Sequence, residues 1–186
     1  MYGWWNTPHM AVLSDGSILD RIESGSLKIS PIVDMEAQLQ PGSFDIRLGP
    51  KYTNKHTGEE FDARERDDEL LVFEPNTFYL AHTLERVEMP ADLSAEVTGR
   101  SSIGREGAMI HITAGWVDAG FEGDITLEVY LVANEPLELA HGQRVGQLVF
   151  HEMDKPAMSP YGEKTGSKYQ NQEGPTEGRL DEDVNL

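Results

Sequence analysis

The segment GRSSIGREG, Gly99 to Gly107, sets two arginines and two serines in a loop bounded by glycines. Gly99 and Gly104 open backbone conformations closed to other residues, and the loop's N–H groups, the hydroxyls of Ser101 and Ser102, and the guanidiniums of Arg100 and Arg105 are all hydrogen-bond donors. Such a set holds an oxyanion. A helical turn starting near Ser101 would add its positive end and suit the loop to phosphate. Taken alone, the segment also reads as a serine-rich turn whose arginines pair with surface carboxylates. A second reactive group sits on DITLEVYLV, Asp124 to Val132. Alternation turns Ile125, Leu127, Val129 and Leu131 to one side and Thr126, Glu128 and Tyr130 to the other, so Glu128 projects from a rigid strand. A carboxylate held in this way can move protons.

The elements that must position these groups belong to one domain, since 186 residues can bury a real core but hardly two. LSDGSILDRIESGSLKI predicts a short helix: Ser14 caps it, Ile18, Leu19 and Ile22 share a face, and Ser24-Gly25 stops it. From Leu27 onward, runs rich in Val, Ile, Phe, Tyr and Thr are broken by Gly, Pro, Asn and Asp, the pattern of a β-sandwich or distorted barrel. The apolar pattern ends after RVGQLVFHEM, and the Gly-, Pro- and charge-rich remainder predicts a mobile tail. Residues 1–9, with Trp4 and Trp5, read as an extension, 10–155 as the β domain, and 156–186 as the tail.

Charge and composition exclude several functions. The formal net charge is −18, from 15 Lys and Arg against 33 Asp and Glu, so a nucleic-acid backbone would be repelled. Acidic residues crowd in GEEFDARERDDEL, Gly58 to Leu70, which reads as a solvated hairpin or loop. A halophilic source is one explanation of the surplus, because strong salt screens self-repulsion. No apolar run approaches the ~20 residues that span a bilayer, and no leader pattern opens the chain, so a cytoplasmic protein without membrane association is expected. The absence of cysteine removes disulfides, thiolate nucleophiles and Cys-built zinc sites.

PGSFDIRL (Pro41 to Leu48), GRSS (Gly99 to Ser102), AGWVDAGFEGDI (Ala114 to Ile125), GQRVGQLVF (Gly142 to Phe150) and GSKYQNQEGPT (Gly166 to Thr176) occur in that order. Together they resemble the motif series of the dUTPase and dCTP deaminase superfamily, over about Met10 to Arg179. The resemblance implies a mainly β, distorted barrel of jelly-roll type with a flexible C-terminal lid. It also implies a homotrimer with active sites between subunits, and a deoxynucleoside triphosphate carrying Mg²⁺ on its phosphates.

Within that superfamily, Glu128 matches the catalytic glutamate of the deaminases, a position that is apolar in enzymes acting on dUTP alone. The resemblance implies that Arg105 orients Glu128, that Ser101 holds the water or developing oxyanion, and that Arg100 and Ser102 grip phosphates, with Ile103 and Gly104 in the same loop. Asp118 would hold the deoxyribose 3′-OH, Ala114 would join the catalytic group, and Thr126 and Leu127 would line the nucleotide beside Glu128. Gln147, Tyr161, Lys168 and Gln172 match further contacts to base or phosphates. Gly115 and Trp116 match the bifunctional, dUMP-forming deaminases, whereas enzymes that stop at dUTP carry His-Arg there; Trp116 can also pack in the core. Nucleobase deaminases commonly activate water on zinc held by Cys and His, and this cysteine-free chain cannot build that site, as the zinc-free deaminases it resembles do not. The expected reaction is dCTP and two waters to dUMP, diphosphate and ammonia. A deaminase releasing dUTP, a dUTPase and a non-catalytic nucleotide-binding regulator are the alternatives.

Overall fold

The computed structural model describes residues 11–65 and 70–185. The tryptophan-bearing extension, residues 1–9, and part of the acidic stretch, 66–69, lie outside the described residues. The first helix, α1 (Asp15–Glu23), forms as its sequence predicts: the Ser14 side chain accepts the Ser17 N–H, Ile18 is wholly buried, and Gly25 leaves the helix at φ 74. Strand β1 (Lys28–Ser30) follows, then a single helical turn, α2 (Met35–Gln38), capped by Asp34.

The rest is β structure: β2 (Leu39–Gln40), β3 (Ser43–Asn54), β4 (Glu60–Asp62), β5 (Leu70–Phe73), β6 (Phe78–Glu88) and β7 (Leu93–Gly99). Helix α3 (Ser101–Arg105) interrupts it before β8 (Ala108–Met109), β9 (Trp116–Val117), β10 (Glu122–Leu131), β11 (Leu137–Ala140) and β12 (Arg144–Glu152). The main sheet runs β8-β10-β6-β3-β12-β7-β9, and β5 pairs with β11 separately. Long β3 makes the sheet curl. Its first half pairs with β12, from Phe44 to Arg47, and its second half with β6, from Leu48 to Asn54, so one strand serves both faces.

Alternation decides what each strand buries. Ile125, Leu127, Val129 and Leu131 of β10 all face inward, with Leu127 and Leu131 fully inaccessible, while Thr126, Glu128 and Tyr130 stay partly open. Each fully buried Leu or Phe contributes about 2 kcal/mol. At one end of the core, Tyr52 stacks on Phe61 at 5.0 Å and meets Tyr79 edge-on at 5.1 Å. The curl brings β7, which delivers the arginine loop, to the opposite side of β12 from β3.

The tail departs from expectation. Its composition predicts mobility, yet it is strapped to the body: Ala157 N–H donates to Ala91 O at 2.7 Å, Tyr161 N–H to Ala119 O at 2.8 Å, and Asn171 N–H to Glu122 O at 2.7 Å. Its main-chain groups find partners in the loops at Ala91 and Ala119 and along β10 from Glu122 to Thr126, the stretch outside the pairing with β8.

Candidate active site

Glu128 opens into a cavity of about 380 Å³, reached from β10, β9 and the tail. Ala114, Trp116, Asp118, Thr126, Tyr161 and Gln172 line it with Glu128, and Leu80, Val97, Phe121 and Ile125 form its apolar wall. A few polar groups converging on an apolar hollow is the usual form of a small-molecule site. Glu128 itself is anchored by the Thr113 N–H, which donates to Oε2 at 3.3 Å. Sequence reasoning missed His111, which lines the same cavity with both ring nitrogens buried and, among the described residues, without a hydrogen-bond partner.

Backbone contacts shape the β9 wall. Val97 N–H donates to Gly115 O at 2.7 Å, and a Cβ on Gly115 would lie 2.9 Å from Val97 O, closer than real contacts allow. Glycine is therefore demanded there by main-chain approach. Trp116 is 55% exposed and tilts over His151 with ring centroids 5.4 Å apart, so it is not a core residue.

Tyr161 ties the tail's own turn: its hydroxyl accepts the N–H groups of Lys168 at 3.2 Å and Tyr169 at 3.1 Å. Lys168 donates from Nζ to Arg179 O at 3.0 Å. Lys168 is absent from the cavity lining, whereas Tyr161 and Gln172 reach it.

The arginine loop builds a separate depression, about 560 Å³, lined by Arg100, Ser101, Ser102, Gln147, Ser43 and Gln40 among others. Arg100 stands at the N-cap position of α3 without a side-chain capping bond, its N–H donates to Val145 O at 3.1 Å, and Ser101 and Ser102 are exposed. Ser43 Oγ donates to Gln147 Oε1 at 2.7 Å, which orients that amide. Arg105 is exposed and, among the described residues, neither pairs with Glu128 nor lines either depression; the two depressions share no lining residue. Two side chains named from the sequence are unavailable to a ligand. Leu127 (0% exposed) and Ile103 (4%) face the core, the first by strand alternation and the second on the inner side of α3, so only their main-chain groups can take part.

A buried network beneath the arginine loop was not foreseen, although Asp45 and Arg144 stand in the quoted motifs. Asp45 is 1% exposed and takes both Arg100 Nε and Arg144 Nη1 at 3.0 Å on one oxygen. Burial pushes the Asp45 carboxyl upward, and the two guanidiniums oppose it. Arg144 also donates to Ala37 O, and Gln38 Nε2 bridges Asp45 O at 3.1 Å and Glu85 Oε1 at 2.9 Å. Glu85 has no accessible surface, accepts the Arg47 N–H at 2.8 Å, and is pushed by burial up to about 7.

A family model described as dCTP deaminase-like matches residues 12–153. The chain belongs to this family. Among dCTP deaminase relatives, a Halorubrum lacusprofundi protein named dCTP deaminase is 43% identical over 92% of each chain. A Halobacterium salinarum protein named dCTP deaminase, dUMP-forming is 41% identical over 91% of this chain and 94% of its own. One from Dictyoglomus thermophilum with the same name is 42% identical, covering 92% and 96%. The crystal structure of 2′-deoxycytidine 5′-triphosphate deaminase from Agrobacterium tumefaciens superposes with a TM-score of 0.63 at 25% identity over 77% of this chain, which spans 48% of that longer one. A dUTPase from phage phi11 of S. aureus shares the fold, with a TM-score of 0.51 at 16% identity over 71% of this chain and 94% of its own. These likenesses establish a mainly β, dUTPase-like fold. Among the described residues, no helix is long and apolar enough to cross a membrane.

Proposed function

We propose that this chain is a dUMP-forming dCTP deaminase, converting dCTP and two waters to dUMP, diphosphate and ammonia. The observation that carries the reading is a strand carboxylate, Glu128, presented to a cavity beside Asp118, Ala114 and Trp116, in a chain about two-fifths identical to proteins named for that reaction. Glu128 removes a proton from water, the resulting hydroxide adds to C4 of cytosine as that proton passes to ring N3, and Glu128 then carries the C4 hydroxyl proton to the amino group, so that the C–N bond breaks, ammonia leaves and C4 becomes a carbonyl. A second water then attacks the α-phosphate in line, with Asp118 placing the sugar 3′-OH. Trp116 and Gly115 leave that approach open.

The separation of the two depressions supports active sites assembled between subunits of a homotrimer. The exposed loop of one protomer, with Arg100, Ser101, Ser102, Gly104, Arg105 and Gln147, would face the Glu128 cavity of its neighbour. Arg105 would orient Glu128 across that junction, Ser101 would hold the oxyanion, and Ala114 would complete the catalytic wall. The tail, 156–186, would close over the nucleotide of the 10–155 domain with Tyr161, Lys168 and Gln172. The loop offers guanidiniums and hydroxyls, a donor set for anions, so Mg²⁺ would arrive on the triphosphate and supply charge neutralisation there. No protein ligand and no zinc are assigned. The acidic surplus fits a soluble, cytoplasmic enzyme working in high salt, where short-range contacts outweigh the overall field.

The test supplies dCTP or dUTP with Mg²⁺ at several salt concentrations and resolves dUTP, dUMP, diphosphate and ammonia over time. Ammonia and diphosphate released in step, without accumulation of dUTP, is the expected result. Accumulating dUTP would identify a deaminase that stops early, hydrolysis of dUTP alone a dUTPase, and tight binding without turnover a regulator.

A further inference from the structure

The segment around Gln172 meets β10 through a single parallel bridge between Gly123 and Gln172. That approach needs glycine: Gly123 sits at φ +148, and a Cβ there would lie 3.0 Å from both N and O of Gln172. Next in the chain, Asp124 makes three bonds to the segment. Its N–H donates to Gln172 O at 3.1 Å, its carbonyl accepts Gln172 Nε2 at 2.6 Å, and its carboxylate Oδ2 accepts the Gly174 N–H at 2.9 Å. Gly174 is buried in the left-handed region at φ +69, so the carboxylate bond sets the path of the chain that carries Gln172 across the Glu128 cavity.

The carboxylate is itself confined. Its Oδ2 lies 3.3 Å from Nδ1 of His82, whose ring is buried, has neither nitrogen in a hydrogen bond among the described residues, and rests where any side chain on Gly49 would collide. Lys51, Arg64, Arg86 and Glu173 surround the same small hollow. Arg86 also donates to Asn171 Oδ1 at 2.6 Å, and the Thr176 N–H donates to Thr126 Oγ1 at 3.2 Å, so the segment is held on both sides of the turn.

We propose that Asp124 is a positioning residue for the nucleotide site: its carboxylate latches Gly174 and so holds Gln172 over the cavity. The proposal rests on the reading of Gln172 as a nucleotide contact. The latch is one N–H to one oxygen, so a neutral acceptor of the same shape keeps the bond, weakened only by the loss of charge.

Hydrogen exchange on the full chain without nucleotide tests it. Asp124→Ala should speed exchange of the amides of 172–176 about tenfold while leaving β3, β6 and β12 unchanged, and Asp124→Asn should stay within about threefold of the parent. In turnover of dCTP, Asp124→Ala should raise KM about tenfold with kcat little altered. Combined with Gln172→Ala it should add nothing further, because both act through one contact. Parental exchange in Asp124→Ala, KM effects that multiply, or Asp124→Asn behaving as Asp124→Ala would each overturn the latch. Exchange is read without substrate, so a chain inert toward dCTP would remove the functional reading while the latch could still be measured.

Discussion

Arg100 Nε lies 3.0 Å from Oδ2 of Asp45, and that buried oxygen takes Arg144 at the same distance. One inaccessible carboxylate thus aims the guanidinium at the mouth of the arginine loop and ties it to β12. Removing an acid from such an arrangement strands two cations, each about 30% exposed. Asp45→Ala is expected to cost about 3 kcal/mol in urea denaturation and to raise KM for dCTP, while Asp45→Asn loses less because the shape survives. Equal stability of the alanine variant and the parent would show that the arginines are held by other means.

Glu128→Gln keeps the side chain's size and an oxygen to accept the Thr113 N–H, but it loses the base. Ammonia release should fall by about 10²- to 10⁴-fold with nucleotide binding and thermal midpoint little changed. Steady ammonia production in that variant, measured with dCTP, would assign the chemistry to another residue.

Glu85 gives stability a pH dependence of definite sign. Its carboxyl is raised to about 7 in the folded chain from an ordinary 4.5, so between those values the folded state holds a proton that the unfolded state has lost. Unfolding then releases a proton, and stability falls as pH rises through that window, by about 3 kcal/mol, levelling off above pH 8. Glu85→Gln cannot ionise. Although it disturbs the bond from Arg47 N–H at every pH, its stability should lack this component, and denaturation of both proteins from pH 4.5 to 8 gives the difference in slope.

Gly115→Ala tests the β9 wall. A Cβ would press on the Val97 carbonyl at 2.9 Å, backbone against backbone, with no flexible side chain to yield. A loss of about 1–3 kcal/mol is expected, with a larger drop in kcat/KM as Ala114 and Trp116 shift away from the cavity. A fully active alanine variant would mean that the wall is softer than its hydrogen bond to Val97 implies.

Local periodicity by itself determined the α1 helix, the inward face of β10 and the outward course of Glu128, because each follows from neighbours one to four residues away. The ordered motifs determined the family and named Asp118, Trp116, Tyr161 and Gln172, which the fold does gather at one cavity. Tertiary structure decided the rest. Asp45, Gln38 and Glu85 come together through burial among strands distant in the chain, and no spacing rule reports which polar side chain will lose its water. The tail's low apolar content predicts no core of its own, and its docking depends on β10 from Glu122 to Thr126 and on the loops at Ala91 and Ala119, whose positions follow from the pairing of the whole sheet.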